Sequence, residues 1–486
     1  MRAVGYPAAV PRNPAIERVL SDEEAGGLWF RDLLGYPVWS LERLRRYRLE
    51  VLRDDQASAG ATSQSKGRAR VEAEWTAIRA SLADLRRGGP VERTRRGRDV
   101  WVLGNTTYRR KLADGQWRCI FADHLRRQLG DRLLFLEFNA ARLPSLERED
   151  VCFLDAVQIP LLTAARVTAP AVAAAWSVLR RQDLRAFSGT SSRRLADRAI
   201  YGRGLLEVAR RWIDAAPPEA IFVLCGYTMH GPIQLAARER GIPIIELQHG
   251  IVHESHAGYV LPVLPASRTR SLPLPDHLVV FGQYFGQVLE RESPRWAGRW
   301  TVGGHPWLRA KRAEAAVASV AGKLLVLFSQ YELDVRIQIR DAAEAARIAL
   351  GPEWRVVLKP HPREADAAEF FASAVAAGVE LAGASDDSYG LMARADLAVT
   401  SYSTICIEAL AFPCRSVVLP SDRWTEAITD LIEAGLIERA ADGTELAALA
   451  QQTGGGGDRE AVARDLFGIG LEEPDFAAMI QGALRR

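Results

Sequence analysis

Continuous apolar stretches alternate with helical patterns along the chain from residue 100 onwards. Examples of such stretches are VWVLG, LLFLE, AIFVLCG and HLVVFG. None of them alternates polar with apolar residues, as a strand with one solvent-exposed face does. Continuous apolar strands between helices are typical of a parallel sheet that helices cover on both faces. The pattern therefore predicts an α/β fold.

The rhythm of strand and helix runs twice, and the segment around His305 separates the two series. The first series covers residues 99–305 and ends with the HLVVFG strand, and the second covers 306–452 and ends with the strand RSVVLPS. We therefore predict two tandem Rossmann-like, doubly wound domains. Because ligands of such sheets bind beyond the carboxyl ends of the strands, the two domains would share one cleft.

Both ends of the chain depart from this rhythm. Residues 1–98 predict a helical extension, and residues 453–486 predict a helical tail. Ser21 and Glu24 have the spacing of a capping box at the start of a helix. The small, polar residues at 54–66 are typical of a flexible linker.

The segment LERLRRYRLEVLR at 41–53 is basic and has apolar residues at helical spacing. A basic amphipathic helix can lie on an anionic membrane. The common alternative is the solvated face of a packed helix.

Composition narrows the class of protein. The net charge of +3 over 486 residues is small and does not favour a nucleic-acid-binding protein. Five cysteines without a CxxC pattern fit neither a disulfide framework nor a zinc ribbon, and they suit a reducing cytosol.

The N-terminus lacks the apolar core of a signal peptide, and no apolar run reaches the roughly 18 residues that span a bilayer. We therefore expect a cytoplasmic protein that meets the inner membrane only through a surface patch.

Histidines are concentrated near the predicted cleft, because six of the eight lie between residues 230 and 305. His249, in QHG directly after the strand IIEL, is the sharpest candidate for chemistry. A histidine at a strand end has a pKa near neutrality and can act as a general base, whereas the alternative is a loop histidine that only makes hydrogen bonds. Other side chains expected to line the cleft are Thr228, His230, Gln248, His305 and Arg363.

Other reaction classes find little support in the motifs. His249, His253 and His256 suggest a metal site, but Gly250 interrupts any helix there and no further ligands complete a set. The chain contains no GxSxG nucleophile elbow and no GxxxxGK[ST] phosphate loop. We therefore predict no metal and no cofactor.

Two segments of the second series have the residues of a phosphate site. LAVTSYSTICIEAL predicts a strand, a hydroxyl-rich turn with Ser401, Ser403 and Thr404, and a helix that carries Glu408. Backbone N–H groups at a helix start favour anions, although serine and threonine are also ordinary helix caps. About 40 residues earlier, KPHP supplies Lys359 and His361. By the rule for such sheets both segments would lie at one edge.

Together, QHG, KPHP and SxSTxxxEAL resemble motifs of bacterial capsule and surface-polysaccharide transferases with the GT-B fold. The relatives are β-Kdo transferases, bacterial sialyltransferases and CDP-glycerol glycerophosphotransferases, and the resemblance covers residues 100–450. It implies a nucleotide-sugar donor, which is a substrate and not a cofactor, and a polysaccharide or glycolipid acceptor. With the basic segment at 41–53, we also expect peripheral contact with the inner membrane or with other biosynthesis proteins.

The resemblance further implies a role for each motif. His361 and Lys359 would contact the phosphate of the nucleotide, and Ser401, Ser403 and Thr404 would hold that phosphate. Glu408 would meet the ribose or the nucleotide, and His249 would be the base, as in the glycerophosphotransferases. The acidic D/E-D/E-G motif of sialyltransferases has no clear copy here, which weakens that relation.

Three other functions stay open at this point. A polyol phosphotransferase would keep the fold and attack phosphorus, and a UDP-sugar 2-epimerase would act on the donor without an acceptor. A non-catalytic subunit that binds a nucleotide or a polysaccharide is the third, because a fold alone does not fix a function.

Overall fold

The computed structural model contains two large parallel sheets. It describes residues 14–43, 67–111, 115–140, 150–179, 184, 187, 190–227, 229–315, 323–361, 364, 366–383, 386–421, 428–452 and 458–484.

The described chain opens with helix α1 (Pro14–Gly26) and a short antiparallel pair, β1 (Asp32–Leu33) and β2 (Tyr36–Pro37). Ser21 lies inside α1 and not at its start, so the predicted capping box is wrong. The buried Glu23 holds this region together because it accepts hydrogen bonds from Trp39 and Arg43. The predicted basic helix at 41–53 lies outside the described residues from residue 44 onwards, as does the linker at 54–66.

Within the part of the chain that the structure describes, the first sheet has seven parallel strands. Alternate residues of its interior strand Val100–Asn105 face separate apolar cores: Val100 and Val102 join one, whereas Trp101 and Leu103 join the other. The seven strands are β3 (Val100–Asn105), β6 (Leu133–Phe138), β7 (Val151–Phe153), β8 (Ala220–Val223), β9 (Ile244–Leu247), β10 (His277–Val280) and β11 (Trp300–Val302).

These strands lie in the order β11-β10-β9-β8-β3-β6-β7. The order reverses between β3 and β8, so ligands are expected beyond the carboxyl ends of these two strands. The predicted end of the series at HLVVFG is wrong, because β11 continues the sheet beyond it. A hairpin of β4 (Arg109–Lys111) and β5 (Trp117–Cys119), which the pattern did not predict, follows β3 at this edge.

Among the described residues, the second sheet repeats the plan with six parallel strands in the order β14-β13-β12-β15-β16-β17, which reverses between β12 and β15. It includes a strand beyond RSVVLPS, the predicted last strand. The strands are β12 (Lys323–Phe328), β13 (Trp354–Lys359), β14 (Glu380–Leu381), β15 (Leu397–Thr400), β16 (Arg415–Val418) and β17 (Ile437–Arg439). The predicted fold class, two tandem Rossmann-like doubly wound domains, is confirmed.

Helices connect and cover the strands. In the first half they are α2 (Gly67–Arg86), α3 (Gly89–Arg95), α4 (Asp123–Leu129), α5 (Asp155–Leu179), α6 (Ser192–Ala215), α7 (Gly231–Arg238) and α8 (Gln283–Glu292). In the second half they are α9 (Pro306–Ala315), α10 (Leu333–Ala349), α11 (Ala367–Phe370), α12 (Ala372–Ala376), α13 (Ser388–Arg394), α14 (Ile405–Glu408), α15 (Thr429–Glu433) and α16 (Gly443–Gln451).

The sequence pattern did not predict α5. Its residues are apolar on nearly every side, and Pro160 and Pro170, which usually mark helix boundaries, lie inside it. Its mean hydropathy reaches 1.3 over 18 residues, and only 22% of that window is buried. The helix is long and apolar enough to cross a membrane by length and composition, so the expectation that no apolar stretch reaches that length is wrong.

Two terminal helices, α17 (Arg459–Phe467) and α18 (Phe476–Leu484), return the chain to the first sheet. A Cβ at Gly282 would lie 2.1 Å from the carbonyl oxygen of Asp465, so only glycine lets α17 pass this close to the end of β10. The Phe476 backbone N–H donates to Gln128 of α4 at 2.9 Å. The tail therefore links both halves of the molecule.

Candidate functional site

A cleft of about 310 Å³ lies where the carboxyl ends of the two sheets face each other. Both halves of the chain contribute side chains to its wall. Those from the first half are Thr107, Tyr108, Arg110, Ile120, Phe121, His249, Ile251, Phe281, Phe285 and His305, and those from the second are Tyr389, Thr404, Ile407, Glu408 and Phe467.

Gln248 fixes the turn that brings His249 to the cleft. Its side-chain oxygen accepts a hydrogen bond from the Phe281 backbone N–H at 2.7 Å, and its amide nitrogen donates to the Gly250 carbonyl at 2.8 Å. The Gln248 side chain is buried and does not line the cleft itself. It therefore ties the end of β9 to the end of β10 and orients the neighbouring histidine.

His249 has one paired and one unpaired ring nitrogen. Nε2 lies 3.1 Å from the Tyr227 hydroxyl, and Nδ1 is buried without a hydrogen-bond partner. Burial lowers the pKa of His249 to about 4, so the imidazole is neutral at pH 7. A buried polar atom without a partner is costly in a folded protein, so a ligand group that pairs with Nδ1 would gain this interaction.

Arg110 reaches the cleft from the β4–β5 hairpin. Its guanidinium donates to the carbonyl oxygens of Thr107 at 2.8 Å and Arg109 at 3.0 Å. These bonds hold it at the edge of the sheet where the strand order reverses. It is an exposed cation at the cleft wall, and the sequence analysis did not single it out.

A buried ion pair anchors that hairpin. Arg109 Nε lies 3.0 and 2.8 Å from the two carboxylate oxygens of Glu137 on β6, and both side chains are completely inaccessible to solvent. The Arg109 guanidinium also lies over the Phe135 ring, 5.0 Å from its centroid. The pair therefore fixes the base of the hairpin next to Arg110.

We expect Glu137→Gln to lower the free energy of unfolding by about 3 kcal/mol, because it leaves a buried guanidinium without its counter-charge. Urea unfolding measures the loss. The matched control is Glu380→Gln, which breaks the exposed pair with Arg355 (61% and 49% exposed) and should cost less than about 1 kcal/mol. Equal losses in the two variants would contradict the structural role of the buried pair.

The second half contributes Thr404 and Glu408 to the cleft. The Thr404 hydroxyl donates to Glu408 Oε1 at 2.8 Å, so it does not cap the helix as an ordinary N-cap would. Burial raises the pKa of Glu408, while hydrogen bonds from Thr404 and Tyr389 and the charge of Arg110 oppose that rise. The helix is shorter than predicted, because α14 gives way to a 3-10 turn at Ala409–Ala411.

The other predicted phosphate ligands are not part of the cleft surface. Ser401 is buried at the end of β15, and its hydroxyl has no hydrogen-bond partner. Ser403 Oγ accepts a bond from the Ile405 N–H at 3.3 Å. Lys359 is buried and donates to the Gly383 carbonyl at 2.6 Å, and the His361 ring lies 5.5 Å from the Tyr331 ring.

Two of the remaining candidates, His230 and His305, pack against aromatic rings. His230 is buried against the Phe138 ring at 4.6 Å and does not line the cleft. His305 does line it, but its Nδ1 accepts a bond from the Leu308 N–H at 3.2 Å and its ring packs on Phe281 at 4.3 Å. Thr228 and Arg363 lie outside the described residues. Within the described ranges, no three His, Cys, Asp or Glu side chains are grouped so that they could hold a metal ion.

Comparisons with known proteins yield similarity in structure only. No family model matches the sequence, and no curated protein matches it. The UDP-GlcNAc 2-epimerase from Methanocaldococcus jannaschii is 12% identical, with a TM-score of 0.47 over 79% of this chain and 99% of that one. Arabidopsis thaliana UGT89C1 complexed with UDP is 12% identical, with a TM-score of 0.45 over 79% and 99%.

A third solved structure, the wall teichoic acid polymerase TagF, is 8% identical to this chain. Its TM-score is 0.41, and the similarity covers 85% of this chain and 98% of that one. These similarities concern the fold, so the function must be argued from the cleft.

Proposed function

We propose that the protein is a metal-independent glycosyltransferase of the GT-B type that moves a sugar from a nucleotide-sugar donor to a polysaccharide or glycolipid acceptor. One observation carries the proposal: a single cleft presents a neutral histidine on one wall and a hydroxyl–carboxylate pair on the other, with an arginine beside them. The motif resemblance at QHG and SxSTxxxEAL supports the same assignment of walls.

The donor occupies the side of the cleft formed by Arg110, Thr404 and Glu408. The exposed guanidinium of Arg110 pairs with a phosphate of the nucleotide, because guanidinium groups bind phosphate oxygens through several N–H donors. Glu408 accepts hydrogen bonds from hydroxyls of the ribose or sugar. The resemblance assigns phosphate contacts to Lys359, His361, Ser401 and Ser403 as well, and these contacts stay a prediction because none of the four side chains lines the cleft.

His249 is the base in this scheme. With its proton on Nε2, donated towards the Tyr227 oxygen, Nδ1 has a free lone pair. The step requires the ring to turn so that this buried nitrogen meets the acceptor hydroxyl and takes its proton. The acceptor oxygen then forms a bond to the anomeric carbon as the bond from that carbon to the phosphate oxygen breaks. Negative charge on the donor phosphates opposes the effect of burial and raises the pKa of His249 towards neutrality when the donor binds.

The leaving nucleotide gains negative charge in the transition state. Arg110 is placed to stabilise that charge, and a fixed cation in a site that excludes water is worth more than one in solvent. The proposal locates the reaction in the cytoplasm, with peripheral contact to the membrane or to other biosynthesis proteins. It requires no cofactor.

A nucleotide panel tests the donor site. CMP, CDP, UDP, GDP and dTDP are each added to the intact protein, and the one that matches the donor should raise the melting temperature by a few degrees, because a ligand that binds only the native state stabilises it. Arg110→Ala should abolish most of the rise. The control is Arg355→Ala, an exposed arginine paired with Glu380, which should keep the full rise. If none of the nucleotides raises the melting temperature, the result contradicts the proposal.

A second candidate is transfer of a polyol phosphate from a CDP-activated donor. It is favoured by the position of His249 in the cleft, because the resemblance to glycerophosphotransferases assigns that histidine as the base. The two reactions differ in the bond that breaks. A donor labelled in the phosphate that is bonded to the transferred group leaves the label on the nucleotide in glycosyl transfer and moves it to the product in phosphate transfer.

A further inference from the structure

The outward face of α5 is apolar along its whole length. Its buried residues (Ala165, Ala169, Ala173 and Trp176) form one stripe against the protein. The opposite stripe is exposed and uncharged, and Val167 and Val178 are 73% and 81% exposed. The members of this outer stripe are Pro160, Ala164, Val167, Ala171, Ala174 and Val178.

The neighbouring helix α2 continues this surface. Its inner residues Ala77 and Ser81 face the protein, and the Ser81 hydroxyl donates to the Phe153 carbonyl on β7, the edge strand. Its outer face carries Trp75, which is 56% exposed, and Leu82, which is 40% exposed. Because α2 packs against α5, the two outer faces adjoin.

Charge on this surface has one sign along most of its length. Arg79 and Arg86 alternate with Trp75 and Leu82 on the outer face of α2, and Arg166 flanks the apolar stripe of α5. None of the three arginines has an ion-pair partner among the described residues. The only acidic side chain of α5 is the buried Asp155, and Glu72 and Glu74 lie in the first turns of α2.

We propose that the outer faces of α2 and α5 form a docking surface for an anionic lipid bilayer. Exposed apolar patches of this extent mark interaction sites, and a tryptophan beside arginines suits the boundary between lipid headgroups and acyl chains. Arginines near an anionic leaflet attract its lipids, and an attraction of this kind is reversible and is weakened by salt. The surface lies at the β7 edge of the first sheet, and the inference does not depend on the reaction in the cleft.

The alternative occupant is a second copy of the chain, because Ala and Val at spacings of four and three residues also suit helix pairing. Three unpaired arginines on that face favour the bilayer, since a two-fold contact through α2 and α5 would bring like charges together. The test therefore measures both lipid binding and oligomeric state.

Flotation of the full chain with vesicles tests the proposal. We expect binding to phosphatidylcholine vesicles that contain phosphatidylglycerol, little binding to pure phosphatidylcholine, and release at high salt. Val167→Glu combined with Val178→Glu should reduce binding by about tenfold or more, because it places charge on the face that enters the bilayer. The matched control is Ile348→Glu on α10, a 79% exposed apolar residue away from the surface, which should bind as the wild type does.

A second variant separates folding from docking. Arg79→Glu with Arg86→Glu keeps every apolar group and should also lose binding to anionic vesicles, with a melting temperature equal to that of the wild type. Equal binding to neutral and anionic vesicles, or no binding to either, overturns the proposal. A wild-type dimer by light scattering that the Val167/Val178 variant converts to a monomer, without vesicle binding, assigns the face to a second copy instead.

Discussion

His249→Ala is expected to lower kcat by about 100- to 10,000-fold, the range that a positioned general base contributes. The donor in this assay is a sugar that carries the nucleotide identified by the thermal-shift panel. The imidazole is the group in the cleft with an unpaired ring nitrogen, and it is neutral at pH 7 because burial lowers its pKa to about 4. Alanine leaves no group to take the acceptor proton. Initial rates with saturating donor measure the loss.

The nucleotide shift separates catalysis from binding in this experiment. His249 does not hold the nucleotide in the proposed arrangement, so the rise in melting temperature should persist in His249→Ala. Tyr227→Phe keeps the ring and loses only the hydroxyl near Nε2, so we expect a smaller loss of kcat and a changed pH profile. Wild-type kcat in His249→Ala would show that another group takes the acceptor proton and would contradict the assignment of His249 as the base.

The fold was predictable because a parallel sheet covered on both faces imposes one simple pattern. Helices cover both faces of the sheet, so side chains that point to either face are buried. Strands such as Val100–Asn105 and Lys323–Phe328 are therefore mostly continuous apolar runs. Short edge strands lack this signal. Trp300–Val302 is only half-buried and Ile437–Arg439 is only partly so, which is why the pattern ended each sheet one strand early.

Helix α5 was missed for a related reason. Helices are recognised by the contrast between an apolar and a polar face, and α5 has apolar residues on both its buried and its exposed faces. A helix without a polar face is itself informative, because its exposed apolar face indicates a surface that contacts something other than water.

The cleft was predictable only in part. His249 lies two residues after β9, and Thr404 and Glu408 lie at the start and the end of the short helix that follows β15. The topology brings these positions to one edge, and each belongs to a motif that the sequence shows. Arg110 is one of many arginines, and its place depends on the Arg109–Glu137 pair, which joins residues 28 positions apart. The signal that would have found it is its position in NTTYRRK, after the first strand of the sheet, where the strand order reverses.

The same burial that keeps His249 neutral predicts a steep loss of stability in acid. Burial lowers the pKa values of six of the eight histidines. The values fall to about 3 for His124, His230 and His305, to about 4 for His249 and His253, and well below the usual value for His256. As the pH falls below about 6.5, the unfolded chain takes up protons that the folded protein refuses, so the free energy of unfolding decreases.

Buried carboxyls act in the opposite direction over part of this range. Burial raises the pKa values of Glu246 and Glu254 to about 7 and that of Asp430 to about 6, so the folded protein binds these protons first as the pH falls. Burial also raises the pKa values of Asp155, Glu364 and Glu408, so the carboxyls offset part of the effect of the six histidines. We expect the free energy of unfolding to fall between pH 6 and pH 5 by less than the about 1.4 kcal/mol per histidine that the histidines alone would contribute.

Urea unfolding at a series of pH values measures this loss, and His124→Phe isolates one contribution to it. Both ring nitrogens of His124 lack hydrogen-bond partners, and the ring packs on Phe476 at 4.9 Å, so phenylalanine keeps the packing and removes the titration. The variant should be at least as stable as the wild type at pH 8. Between pH 6 and pH 5 it should lose about 1.4 kcal/mol less than the wild type, because one histidine no longer takes up a proton on unfolding. Parallel pH profiles for the two proteins would show that His124 is not buried in its neutral form.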